Sequence, residues 1–169
     1  MKLIGGALVV VSSSWIGFLI ANQFVLRPQQ LHQLQTALQM LETEISYGIT
    51  PLPEAFNKLA SNLSNPIDKI FKLAQQKLNE GYTAPEAWSI ALKEVFPQTE
   101  LNKEDQQVLL DLGHNLGQST SDDQLKYLNL VQRKLEGLYQ EAIDERQVKV
   151  KLWRYLGVLT GLFLVILIF

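Results

Sequence analysis

The sequence predicts an all-α protein, a six-helix cytoplasmic bundle flanked by N- and C-terminal transmembrane helices. Three observations carry that prediction. Apolar residues crowd into the two ends of the 169-residue chain, the middle repeats leucine and isoleucine at helical spacing, and helix caps punctuate that middle without any run of alternating β-branched residues. The expected organisation is a span over residues 3–26, a bundle over residues 28–151 and a second span over residues 152–169.

Leu3 to Leu26 holds no charged residue, and its 24 residues cover about 36 Å as a helix, against about 30 Å for a bilayer core. Ser12, Ser13 and Ser14 are tolerable there because a hydroxyl bonds back to the carbonyl one turn earlier. A cleaved secretory signal, with Lys2 as its basic region, is the competing reading; the apolar stretch resumes at Trp15, which favours a retained anchor. In the second span, Trp153 and Tyr155 stand where an interfacial aromatic belt belongs, beside Lys149, Lys151 and Arg154. Gly157 and Gly161 form a small-xxx-small pair that admits another helix, and Gly5, Gly6 and Gly17 offer similar thin places. Arg146, Lys149, Lys151 and Arg154 flank only the inner side of the second span. That asymmetry predicts a cytoplasmic middle with both termini outside.

Between the spans, Leu31, Leu34, Leu38, Leu41 and Ile45 form one apolar stripe, closed by Gly48. Thr50-Pro51 predicts an N-cap with proline at the first helical position, for a helix reaching about Asn62. Asn65-Pro66 opens a third helix, with Ile67, Ile70, Phe71, Ala74 and Leu78 inward and Gly81 at its end. Thr83 to Glu86 reads as a capping box for a fourth, which buries Ala87, Trp88, Ala91, Leu92 and Val95. Asn102 caps a fifth with Val108, Leu109, Leu112 and Leu116 inward, ended by Gly117. Ser121 to Gln124 is another capping box. From there Leu128, Val131, Leu135, Leu138 and Ala142 mark a single rod running into the second span, with Gly137 its one weak residue. Glycines 48, 81 and 117 lie 33 and 36 residues apart, near a helix-pair repeat, but shared capping chemistry accounts for the likeness.

The chemistry-bearing residues are sparse. Without cysteine there is no disulfide, thiolate zinc site, iron–sulfur cluster or thiol nucleophile. A net charge of −2 is too balanced for a basic nucleic-acid-binding face, so no nucleic-acid partner is expected. No phosphate-cradling glycine loop occurs. His114, three residues after Asp111, and the isolated His32 are the two histidines. A small membrane enzyme using His114 and nearby carboxylates is an alternative that no convergent set of groups supports; a homo-oligomeric channel is another, weakened by the absence of charge from the first span. The expected catalytic, cofactor and metal residues are therefore none. Residues 28–151 hold all 17 acids against 12 bases. Glu100, Glu104, Asp105, Asp111, Asp122 and Asp123 gather about the fifth helix, either as a solvated face or as a docking surface for a basic partner. Tyr47, Tyr82 and Tyr127 are candidate anchors for such a contact.

Leu41-Glu42-Thr43-Glu44-Ile45-Ser46-Tyr47-Gly48-Ile49-Thr50-Pro51-Leu52, then Gly81-Tyr82-Thr83 with Glu86-Ala87-Trp88, and Leu112-Gly113-His114-Asn115-Leu116-Gly117-Gln118-Ser119 before Asp123-Gln124, lie in this order between two anchors. In this arrangement the chain resembles the stage III sporulation protein AB family. Its middle is similar to the F-component domain of type II secretion and type IV pilus inner-membrane platform proteins. Those platforms carry two such domains and three spans, and often a glutamate where His114 stands here. The resemblance implies a structural adaptor in a sporulation secretion-like channel complex in the membrane around the forespore. Its expected partners are a secretion-type ATPase like stage III sporulation protein AA, other membrane components of the complex and the lipid bilayer; self-association into a homo-oligomer is compatible with it. No individual functional residue is carried over.

Overall fold

The computed structural model describes the backbone of residues 2–47, 50–117 and 121–168, and the side chains of these except 2–7, 47, 121 and 168. Six α-helices account for almost all of it: α1 (Lys2–Tyr47), α2 (Leu52–Asn62), α3 (Ile67–Asn79), α4 (Ala84–Val95), α5 (Lys103–Asn115) and α6 (Ser121–Ile168), with a 3-10 turn at Phe96–Gln98. Among the described residues there is no strand. The first apolar stretch and the leucine stripe are one helix, because α1 passes through Pro28 without a break. Proline there removes one backbone donor and costs about 3 kcal/mol. Ending a helix and nucleating another costs about 4 kcal/mol for a nucleation constant near 10⁻³, so running through is no worse. Two compact units result, one drawn from the chain up to Pro28 and from Gln140 onward, the other from Gln29–Tyr139.

In the Gln29–Tyr139 unit the helix ends follow local chemistry. At the end of α3, Gly81 takes φ +97°, Gly81 N–H donates to Leu78 O (3.1 Å) and Tyr82 N–H to Lys77 O (3.1 Å). These are the two bonds of a Schellman cap. Thr83 donates from its backbone N–H (3.0 Å) and its hydroxyl (2.7 Å) to Glu86, opening α4. Both bonds hold the Glu86 carboxyl below its ordinary range. Asn102 and Asp105 exchange bonds at the start of α5, Asp105 N–H to Asn102 Oδ1 at 2.9 Å and Asn102 N–H to Asp105 Oδ2 at 2.8 Å. Gly117, at φ +71°, follows the end of α5.

Two start signals fall differently from their sequence expectation. The α2 cap is Pro51 itself, extended at φ −58° and ψ 145°, without a side-chain cap. The Thr50 hydroxyl is engaged instead with Glu44, which lowers that carboxyl's pKa. Pro66 likewise occupies the cap position of α3, after a cis Asn65–Pro66 bond. The Gly48 terminator and the Ser121 side chain of the last capping box lie outside the described residues.

The apolar stripes converge. Leu31, Leu34, Leu38 and Leu41 of α1, all five expected residues of α4 and Leu128, Val131 and Leu135 of α6 are buried, while Ile45 and Leu78 are half-exposed. Phe56 of α2, Phe71 of α3 and Trp88 of α4 meet as a three-ring cluster with centroids 5.4–5.8 Å apart. The indole N–H of Trp88 donates to Leu109 O of α5 at 2.7 Å, so the cluster's one polar atom is satisfied in the core. Gly113 makes this approach feasible, since a Cβ there would collide with Trp88 Cδ1. Glutamines on α1 tie down the loops: Gln33 Oε1 accepts from Ser64 N–H (2.8 Å) and the buried Gln30 accepts from Glu100 N–H (2.9 Å). Glu42 accepts from Asn129 (3.0 Å) and Gln132 (2.9 Å), and Gln35 donates to Glu136 (2.8 Å), pairing α1 with α6.

Candidate functional site

Two places combine expected residues with geometry suited to contact, one in each unit. In the unit formed by the chain ends, α1 and α6 pack by their smallest residues. A Cβ on Gly17 would stand 2.7 Å from Trp153 O and 2.9 Å from Gly157 Cα, and one on Gly161 would lie 2.9 Å from Val10 Cα. The small-xxx-small pair of the second span thus receives the chain's own first span, through Gly17. The one proton of the Ser13 hydroxyl is shared between Gly157 O at 2.8 Å on the partner helix and Val10 O at 3.2 Å on its own, the shorter approach being the one across the pair. Ala21, Gly17 and Gly161 are buried here. Trp15, Phe18, Tyr155, Phe163 and Leu167 point outward, Trp15 at 67% exposure. Large side chains out and small ones in is the reverse of a water-soluble core, and an outward apolar belt of this extent marks contact with lipid or protein. Both α1 and α6 are long and apolar enough to cross a membrane.

Cations border this belt. Arg27, 6% exposed, pairs with Glu145 at 3.0 Å. Glu145 also accepts from Lys149, and that bond, helped by the charge of Arg27 and opposed by burial, lowers the carboxyl's pKa. Lys149 Nζ lies 5.1 Å from the centre of the Phe24 ring, and Arg154 lies 5.0 Å from that of Phe18. Each is a cation–π contact that sequence spacing alone does not reveal.

In the Gln29–Tyr139 unit, a groove of about 230 Å³ is lined by Leu41 and Ile45 of α1, Thr50, Leu52 of α2, Gly117 and Gln124 of α6. It brings Thr50 and Leu52 together with Gly117 and Gln124, members of the two most distinctive stretches of the sequence. Glu44 at its rim also accepts from Lys58 (3.3 Å).

The other candidates disperse. His114 is exposed in the last turn of α5, where a basic side chain suits the helix dipole. Asp111 accepts from Gln107 (2.9 Å) and faces Lys134 at 3.9 Å. Tyr127 hydrogen-bonds Asn115, while burial and the charge of Asp111 raise its pKa. His32 lies 5.8 Å from Tyr139, ring to ring. Of the acidic cluster, Asp105 is buried as a cap, while Glu104, Asp122 and Asp123 are exposed. Tyr82 is exposed beneath Lys77 Nζ at 5.6 Å, and the Tyr47 side chain lies outside the described residues. Among the described residues, no three His, Cys, Asp or Glu side chains are grouped as a metal site would require.

A family model described as stage III sporulation protein AB matches residues 2–169. The chain is similar to stage III sporulation protein AB of Bacillus subtilis (strain 168), with 36% identity over 169 residues covering 99% of each chain. It is also similar to a solved structure of stage III sporulation protein AB, with a TM-score of 0.70 and 34% identity, covering 73% of this chain and 98% of that one.

Proposed function

The chain belongs to the stage III sporulation protein AB family, and on that premise we propose that it is a membrane-anchored adaptor in a sporulation secretion-like complex. In this reading residues 3–26 and 152–169 span the mother-cell-derived membrane around the forespore. Both termini lie outside and residues 28–151 face the cytoplasm. The bundle receives a secretion-type ATPase like stage III sporulation protein AA, and the span pair meets the membrane components of the same complex. The protein performs no reaction of its own.

One observation carries the reading: a single chain holds a span pair with its large apolar side chains turned outward and a bundle with its large apolar side chains turned inward. Such a chain is suited to two media at once and to joining a partner in one to a partner in the other. α6 is one helix from Ser121 to Ile168, and this unbroken course is the path a mechanical link would use. The groove between Leu52 and Gln124 is the docking place we assign to the ATPase. Photocrosslinkers substituted at Leu52 and at Gln124 in sporulating cells test this. Adducts with the ATPase are expected at both positions and absent from the exposed Lys72, on α3. Adducts from Lys72 alone, or ATPase assembly undisturbed by bulky groups at both groove positions, would overturn it.

A further inference from the structure

A second groove, of about 580 Å³, follows the outer face of α1 from Val10 past Trp15 and Phe18 to Asn22, with Arg154 of α6 lying over the Phe18 ring. We propose that it holds one anionic phospholipid, the phosphate on Arg154 and an acyl chain along Val10, Trp15 and Phe18. Charge is the first argument. The exposed guanidinium of Arg154 lies 5.0 Å from the centre of the Phe18 ring and has no hydrogen bond or ion pair among the described residues. No Asp or Glu occurs before Glu42 or after Glu145, so neither apolar stretch supplies it with a counter-ion. A guanidinium at the edge of hydrocarbon matches a phosphate by its planar fork of donors.

Shape is the second. From Val10 to Asn22 the helix advances about 18 Å, close to the ~15 Å of one leaflet's hydrocarbon. Arg154 is the one charged residue in the groove's lining, which is otherwise apolar but for Ser14 and Asn22, so charged and apolar parts stand together as an amphiphile requires. A third helix is the poorer occupant: close helix packing in lipid uses small residues, and Gly17, Gly157 and Gly161 are already spent on the α1–α6 contact. A free phosphate would engage Arg154 and leave the apolar length empty.

The proposal rests on the spans lying in lipid, but its test uses this chain alone and so stands apart from any contact with an ATPase. The full chain in detergent micelles would be titrated with phosphatidylglycerol or phosphatidylcholine and the retained lipid counted by native mass spectrometry. A phosphatidylglycerol carrying a diazirine on its acyl chain would map the contact. Preferential retention of phosphatidylglycerol is expected, with labelling between Val10 and Phe18. Arg154→Gln should lower that preference about fivefold, the worth of one basic residue near an anionic surface, while Lys151→Gln should keep most of it. Trp15→Ala should reduce labelling yet preserve the headgroup preference. Equal retention of the two lipids, labelling elsewhere, an unaltered preference in Arg154→Gln, or displacement by inorganic phosphate alone would each overturn the proposal.

Discussion

The bundle and the span pair use glycine for opposite purposes. In the bundle, Gly81 and Gly117 adopt positive φ, where a side chain would strain the backbone, and nothing lies within 4 Å of a Cβ on Gly81. In the span pair, Gly17, Gly157 and Gly161 are helical and are small because another backbone lies against them. The difference follows from the solvent. Water drives large side chains inward, so the bundle coheres through Leu34, Phe71 and Trp88. An apolar surround, which the outward side chains of the span pair suit, offers no such drive, and cohesion falls to close backbone contact and bonds such as Ser13 to Gly157 O. Gly113 belongs to neither class: it sits in a water-soluble helix and is small because the Trp88 indole covers it.

The largest effect that sharpens this contrast is at Gly113. Gly113→Ala forces the Trp88 ring from its place, and a loss of about 1–3 kcal/mol is expected in chemical denaturation of the full chain. Gly157→Leu should leave that denaturation curve unchanged and instead part the spans. Spin labels at the outward-facing Leu8 and Leu164 should read a separation greater by roughly 2 Å, within the range that helix spacing covers with side-chain size. An altered denaturation curve with an unaltered separation would reverse the assignment of these two glycines.

Smaller effects lie at exposed sites. Gly137, exposed on α6 with nothing within 4 Å of an added Cβ, should tolerate alanine with a gain of up to about 1 kcal/mol. The Glu145 carboxyl is held below its unfolded value, first by Lys149 and then by Arg27. Its contribution is therefore present above the unfolded pKa and disappears as pH falls through the folded one. Glu145→Gln should melt below the parent at pH 7, and the two melting curves should converge in acid. A difference persisting below the folded pKa would show that the ion pair is not its source.

The bundle was largely legible because its signals are local. The α1 stripe, the Gly81 terminator and the Thr83 and Asn102 capping boxes each fall within a few residues of chain. Thr50 misled for the same reason. Its hydroxyl had a non-cap partner in Glu44, and Pro51 already fixed the backbone that α2 needs at its start. The long-range contacts left no local trace. Gln30 reaches Glu100 across 70 positions, and Ser13 reaches Gly157 across 144, with only ordinary glutamine and serine to announce them. Gly157 and Gly161 did announce a thin face, but no spacing rule told which helix would fill it. The groove beside Leu52 shared this fate, because its walls come from distant parts of the chain.

The Ser13 hydroxyl meets the Gly157 carbonyl at the level where Gly17 and Gly157 touch backbone to backbone. A screw motion of either helix that brought another residue to this contact would present a side chain where only a hydrogen fits, and would strand the serine. The register between these two helices is thus written twice, once in the absent side chains of Gly17 and Gly157 and once in the reach of a single hydroxyl.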